Sequence, residues 1–69
     1  RMRVGQRVRV RGDLKAENRY PGVVPPMRKL CGKVATITER WSECGGIYLY
    51  YLDIDKSKYV WTDWMLVKL

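Results

Sequence analysis

Apolar and charged side chains alternate strictly near the start of the chain. Within Gln6–Arg11, Val8 and Val10 point to one side of an extended backbone, and three arginines point to the other. A period of two is typical of a strand with one buried face. We therefore expect a first strand with a solvated arginine face, ended by Gly12-Asp13.

The following segment, residues 13–31, lacks this alternation and contains all three prolines of the chain. A segment of this length without periodicity is uncommon in a compact domain and is often functional. Val23-Val24-Pro25-Pro26 is predicted to be extended, because residues that precede proline avoid the helical region. One helical turn near Met27–Leu30 is compatible with the pattern.

The rest of the chain is predicted to form four more short strands, over residues 33–41, 47–55, 59–61 and 66–69. The second strand is rich in β-branched residues, and the third has an ambiguous period at Tyr50-Tyr51 that suggests a bulge. Ser42-Glu43-Cys44-Gly45-Gly46 has the composition of a hairpin turn, and Asp55-Lys56-Ser57-Lys58 that of a polar turn. The last strand is expected to pair with the first.

A single helical turn is predicted over Thr62–Met65, with Thr62 or Asp63 as its N-cap. Five short strands, a long first loop, a tight hairpin and this turn before the last strand form a distinctive order. That order resembles an SH3-like barrel, a fold in which closure or near-closure hides the edges of the sheet.

Three runs of residues add to the resemblance. Val4–Val10 resembles the G-x-x-V-x-V first strand of such barrels, and Gly32–Ile37 resembles their second strand. Tyr50–Asp55, followed by Tyr59–Leu66, resembles the end of a set of small, mostly uncharacterised proteins of Firmicute bacteria and their phages. The ALYDY run and adjacent Trp pair of signalling SH3 domains are absent, so binding of proline peptides is not implied.

The resemblance implies one all-β domain over residues 1–69. Its fold would be a small SH3-like five-stranded barrel with a long first loop and one short helical turn before the last strand. A phage or prophage origin is also implied. No apolar run approaches the ~20 residues that span a bilayer, and no apolar segment follows the basic N-terminus as in a signal peptide. We therefore expect a cytoplasmic protein of a bacterial host cell.

Basic residues are concentrated in the first half of the chain. There are 14 Lys and Arg against 7 Asp and Glu, for a net charge of +7. Residues 1–33 hold ten basic and two acidic side chains (+8), and residues 34–69 hold four and five (−1). This asymmetry suggests nucleic acid or an acidic protein surface as partner, although such a charge also keeps a small domain in solution.

The arginine face of the first strand is the strongest candidate site. Residues on one face of a strand recur about every 6.6 Å, close to the spacing of phosphates along an extended nucleic-acid strand. The planar guanidinium fork donates two parallel hydrogen bonds to phosphate oxygens. An ordinary solvated face is the alternative. The candidate contact residues for nucleic acid or another partner are Arg7, Arg9, Arg11, Lys15, Arg19, Tyr20, Arg28, Lys29 and Trp41.

The aromatic residues are three Trp and five Tyr, with no Phe, so several of these rings must build the core. Trp61 and Trp64 are expected to be structural, because they flank the closing turn and can cover the open end of the barrel. Tyr20 and Trp41 could stack on bases or, together with the prolines, bind a peptide.

The chain has no His and two Cys, Cys31 and Cys44. It cannot complete a Cys/His zinc site, and it lacks the usual general base. Both cysteines are expected to be reduced, with a disulfide between them as the alternative. We expect no enzyme activity, no metal, no cofactor and no small-molecule substrate.

The three aspartates of residues 34–69 could in principle bind a metal or act in acid–base chemistry, but their spacing does not support either interpretation. Asp53 and Asp55 are expected to share one strand face and to pair with nearby lysines, Lys56 and Lys58, or with the arginine face. Asp63 is expected to cap the helical turn.

Two hypotheses of function follow. The first is a small, basic, non-enzymatic module that contacts nucleic acid through the arginine strand and the basic loop. The second is a phage-type protein-interaction module, or an inhibitor of a host or defence protein, anchored by the loop at Tyr20–Leu30. In either case we expect a monomer or weak dimer without membrane contact.

Overall fold

The computed structural model describes residues 1–43 and 45–69. In this part of the chain five antiparallel strands form one sheet, in the order β4-β3-β2-β1-β5. The strands are β1 (Arg7–Val10), β2 (Val34–Glu43), β3 (Ile47–Leu52), β4 (Trp61–Thr62) and β5 (Leu66–Lys68). A four-residue helix, α1 (Pro25–Arg28), lies in the first loop, and two 3₁₀ turns span Asp53–Asp55 and Asp63–Met65.

The predicted all-β fold with five strands is confirmed. β4 and β5 form the two edges of the sheet, and the described residues show no pairing between them. The sheet is therefore open, and its closure into a barrel is not confirmed. None of the helices in the described residues is long and apolar enough to cross a membrane.

β1 has the predicted alternation and lies between two neighbours. Val8 and Val10 are fully buried, and the two arginines of the strand are exposed. Val10 faces Leu66 of β5, which confirms the predicted pairing of the last strand with the first. Both sides of β1 are hydrogen-bonded, so its outward side chains are held in a fixed row by the sheet.

β2 and β3 form the predicted hairpin, in which β2 continues beyond residue 41 to Glu43. Gly45 and Gly46 have positive φ angles of 93° and 77°, a conformation that glycine adopts without a steric penalty. The register shifts at Thr38, so the irregularity lies in β2, opposite the Tyr51 end of β3. Cys44, and with it the expectation about a disulfide, lies outside the described residues.

The prediction that the third strand continues to residue 55 is wrong. After Leu52 the chain enters the first 3₁₀ turn, so Asp53 and Asp55 do not share a strand face. The Oδ1 atom of Asp53 accepts a hydrogen bond from the Thr36 backbone N–H at 3.0 Å. The Oδ2 atom of Asp55 accepts one from the Trp61 indole at 2.9 Å.

The expected pairing of these aspartates with lysines is therefore also wrong. Ion pairs among the described residues are confined to the first loop.

The turn before β5 is present as a 3₁₀ turn, but its expected side-chain cap is not. Thr62 has the N-cap position and its hydroxyl donates instead to the Tyr48 carbonyl at 2.6 Å. Asp63 accepts a hydrogen bond from the phenol of Tyr50, which binds the turn to β3. β4 covers residues 61–62 instead of the predicted residues 59–61.

The first loop is folded and contributes to the core. Glu17 and Val23 exchange two backbone hydrogen bonds of 2.9 Å, so the tip of the loop is a small hairpin. Leu14, Val23 and Met27 insert their side chains under the sheet. The prediction of an extended run through Pro25-Pro26 is wrong beyond Val24, because proline is compatible with the first turn of a helix and α1 begins there.

The core lies between the loop and one face of the sheet, where Tyr50 and Trp61 are both fully buried. The Tyr50 hydroxyl accepts a hydrogen bond from the Met2 backbone N–H at 3.0 Å and donates one to Asp63. One phenol therefore connects the N-terminal segment, β3 and the second 3₁₀ turn. Burial, reinforced by the Asp63 carboxylate, raises the pKa of Tyr50 above its ordinary value.

Candidate nucleic-acid interface

Arg7 and Arg9 occupy the outward face of β1. The Arg7 Nη1 atom donates to the hydroxyl of Thr36 at 3.0 Å, and the Arg9 Nη1 atom donates to the carbonyl of Gly32 at 2.9 Å. Both acceptors are neutral, so the positive charge of each guanidinium is not compensated by these contacts. The remaining N–H groups of two neighbouring forks are available to an anionic ligand.

Arg11 is the third arginine of the row, and its environment differs. Its Nε and Nη2 atoms donate to the two carboxylate oxygens of Asp13, each at 3.0 Å. This bidentate pair, with Lys15 nearby, lowers the pKa of Asp13. The fork of Arg11 is occupied and its charge is largely neutralised, so we expect it to contribute less to binding than the other two.

The four basic candidates of the first loop are all exposed: Lys15, Arg19, Arg28 and Lys29. Arg19 lies 3.9 Å from the Glu17 carboxylate, a loose pair in solvent. The hydrogen bond from Arg9 to Gly32 joins the β1 arginines to the returning end of the loop, which also carries Arg28 and Lys29. We therefore expect this end of the loop to extend the basic face of β1.

Two open cavities between the first loop and the second 3₁₀ turn share Glu17 and Trp64, and we refer to them together as the groove. One half, of about 310 Å³, is lined by Arg11, Asp13, Lys15 and Trp64 among others, and the other half, of about 430 Å³, by Tyr20 and Trp64. Trp64 is common to both halves and is 47 % exposed. The expectation that Trp64 is structural is wrong, whereas that for Trp61 is confirmed.

Tyr20 projects from the tip of the loop and is 67 % exposed. Partial desolvation and the carboxylate of Glu43 raise the pKa of its phenol, even though most of the residue faces solvent. The other aromatic candidate, Trp41, is half-buried and packs against Tyr51 with ring centroids 4.8 Å apart. Its ring is engaged within the sheet and does not line the groove.

A second basic cluster surrounds Val4 and was missed from the sequence. Arg3 and Arg40 line one cavity there, and Lys68 lines the next. Arg40 donates to the Met2 carbonyl at 3.0 Å and lies 5.4 Å from the centre of the Tyr48 ring. These cations are far apart in the sequence and are brought together only by the pairing of strands.

Within residues 1–43 and 45–69, no group of three or more His, Cys, Asp or Glu side chains could hold a metal ion. Cys31 is half-buried against the core.

The chain has no match among family models, and comparisons with curated proteins and with solved structures also found none. Its function has to be inferred from its own residues.

Proposed function

We propose that this chain is a non-enzymatic binding module that contacts nucleic acid through Arg7, Arg9 and the adjoining end of the first loop. The observation that carries the proposal is the environment of these two guanidinium groups. They are neighbours on one exposed strand face and bind only neutral acceptors, in a chain of net charge +7. Arg11, a member of the same row, is by contrast paired with Asp13.

The contacts favour phosphates over bases. Alternate residues of a strand stand about 6.6 Å apart, a distance that suits successive phosphates of an extended backbone. Binding of this kind depends on the release of counterions and carries little sequence information. With three or four phosphates in contact, the logarithm of the affinity falls against the logarithm of the salt concentration with a slope of about −2 to −4.

The fold we propose is a variant of the SH3-like barrel. The strand order, the long first loop and the turn before β5 support this assignment. We also propose, from the resemblance to Firmicute and phage proteins, that the module acts in the cytoplasm of a bacterial host cell.

The test is fluorescence anisotropy with labelled single-stranded and double-stranded oligonucleotides at low and at physiological salt. The key variant is Arg7→Glu/Arg9→Glu. We expect micromolar binding by the natural sequence, and a salt slope that is smaller by about 2 in the variant, about 1 for each lost phosphate contact. The variant is expected to keep its thermal transition, because both side chains face solvent.

The matched control is Lys56→Glu/Lys58→Glu, which makes the same change in charge at two exposed residues of another turn. We expect this control to keep most of the affinity and the full salt slope. Equal losses of affinity in both variants would show that binding depends on the overall charge of the protein and not on the arginine face. An absence of binding at low salt would refute the proposal.

A second candidate is a protein-binding module or inhibitor of a host protein. The exposed Tyr20, next to Pro21 at the tip of the first loop, favours it, because aromatic residues are enriched among interface hot spots. Capture of host proteins from a lysate, with and without nuclease treatment, separates direct protein partners from those bridged by nucleic acid.

A further inference from the structure

The groove between the first loop and the second 3₁₀ turn exposes two large aromatic rings to one space. Trp64 and Tyr20 both line its larger half, together with Pro21. They are among the most exposed large apolar side chains in the described residues. Exposed rings grouped at one groove are more often a binding surface than isolated apolar residues are.

The groove is continuous with the arginine face of β1. Arg9 is paired with Val67, and the backbone N–H of Arg11 donates to the Met65 carbonyl at 2.9 Å. Trp64 precedes Met65, and Arg11 lines the same half of the groove as Trp64. Arg11 therefore connects the end of the arginine row to the part of the groove that Trp64 lines.

The charges of this surface favour an anionic ligand with flat groups. Within the groove, Asp13 is paired with Arg11, and Glu17 lies beside Arg19. The Glu43 carboxylate acts on Tyr20 from outside the groove lining, so Tyr20 is the less favourable of the two rings for a polyanion. The uncompensated cations are on the adjoining face of β1. A basic peptide would meet these arginines with like charge. An acidic peptide supplies carboxylates for the arginines but an aromatic side chain only at occasional positions. A polynucleotide supplies phosphates for the arginines and planar bases for the rings.

We propose that Trp64 and Tyr20 are a stacking surface for unpaired bases, so that the protein prefers single-stranded to duplex nucleic acid. This inference rests on the proposed function and names the form of nucleic acid that the site takes. In a duplex the faces of the bases are covered by their neighbours, whereas in a single strand they are free to stack on aromatic side chains. The phosphate contacts of Arg7 and Arg9 are common to both forms.

The experiment compares three labelled probes of equal length: a single-stranded oligothymidine, the corresponding duplex, and an abasic strand that has phosphates and sugars but no bases. The natural sequence is expected to bind the oligothymidine about tenfold more tightly than the other two, which corresponds to the stacking of one base. All three affinities are expected to fall with salt, because the phosphate contacts remain.

Two substitutions separate stacking from simple apolar contact. Trp64→Leu keeps an apolar side chain but removes the ring, and is expected to remove most of the preference for oligothymidine over the abasic strand. Trp64→Phe keeps a flat ring and is expected to retain most of the preference. Tyr20→Leu is expected to cause a smaller loss in the same direction. Trp64 and Tyr20 are exposed, so these variants should fold, which a thermal transition checks.

The outcomes distinguish this inference from the proposed function. Equal affinity for the three probes, with a salt slope that depends on Arg7 and Arg9, overturns the stacking surface and leaves the phosphate contacts in place. In that case the groove is free for a protein segment. An unchanged preference in Trp64→Leu also overturns the inference. If no probe binds at low salt, both proposals fail.

Discussion

The interior around Trp61 and the groove around Trp64 use the same type of side chain in opposite ways. Trp61 is fully buried and its indole N–H donates to Asp55, while Trp64 is 47 % exposed at the wall of a groove. The two residues are three apart in the chain. Trp61 is in β4, where it is paired with Tyr50 and faces the core. Within the following turn Met65 takes the buried position, and this leaves Trp64 outside.

The comparison shows that residue type does not decide which aromatic ring is structural in so small a domain. The decision is made by the direction in which the chain leaves the sheet. A 3₁₀ helix has about three residues per turn, so the side chains of a three-residue turn point in three different directions. When Met65 points into the core, Trp64 points outward. The exposed ring is then available for binding without a loss of core volume.

The largest effect is expected when Trp61 is replaced. Trp61→Ala removes a fully buried ring and leaves Asp55 without its indole donor, so we expect a loss of about 3–5 kcal/mol in the free energy of unfolding. Trp64→Ala is expected to change it by only about 0.5 kcal/mol, because the ring is exposed. Chemical denaturation of the two variants measures the difference. Similar losses would show that Trp64 belongs to the core.

The tip of the first loop, which carries the groove residues Tyr20 and Pro21, is expected to be sensitive at Gly22. A Cβ atom there would lie 2.3 Å from the carbonyl oxygen of Glu17 and 2.9 Å from that of Arg19, and both are backbone atoms that cannot move independently. Gly22→Ala is therefore expected to destabilise the protein by about 1–3 kcal/mol, through overpacking.

The matched control is Gly12→Ala, where a Cβ atom would have no neighbour within 4 Å. Thermal melting of both variants is the measurement. A melting temperature that is unchanged in Gly22→Ala would mean that the loop tip adapts, and that the groove is less fixed than the interior.

A smaller effect is expected from Tyr50→Phe, which leaves the ring and removes the hydroxyl that joins Met2 and Asp63. We expect a loss of about 1–2 kcal/mol at neutral pH, as for other buried hydrogen-bonding groups left without a partner. Urea denaturation at neutral pH measures it.

The pH dependence of the same variant sharpens the test. Because burial raises the folded pKa of Tyr50 above its unfolded value of about 10, the neutral phenol stabilises the folded chain below that pH. This contribution is lost as the pH rises through the raised pKa. The stability of the natural sequence should therefore fall more steeply above pH about 10 than that of Tyr50→Phe. Parallel curves of stability against pH for the two proteins would show that ionisation of Tyr50 does not destabilise the folded chain.

Local patterns predict much of the fold. The alternation at Val8 and Val10 defines β1 and its two faces, and Gly45-Gly46 defines the hairpin. The end of β3 could not be predicted in the same way, because Ile54 continues the apolar pattern across a turn that is stabilised by a distant partner, the backbone of Thr36.

The candidate site was predictable only in part. The row of arginines follows from the sequence. The pairing of Arg11 with Asp13, however, depends on how the chain turns after β1. The exposure of Trp64 depends on the geometry of a three-residue turn. The cluster of Arg3, Arg40 and Lys68 depends on the order of the strands, which no local pattern of charge contains.

The open sheet has a consequence for how copies of this protein meet in a concentrated solution. Its two edges are β4, with two residues, and β5, with three. A strand from a neighbour that approached either edge would find few unpaired backbone groups, so addition of strands from copy to copy would gain few hydrogen bonds. Short edges are one way in which natural sheets avoid aggregation. The two edge strands are thus protected by their brevity, although the sheet is not closed.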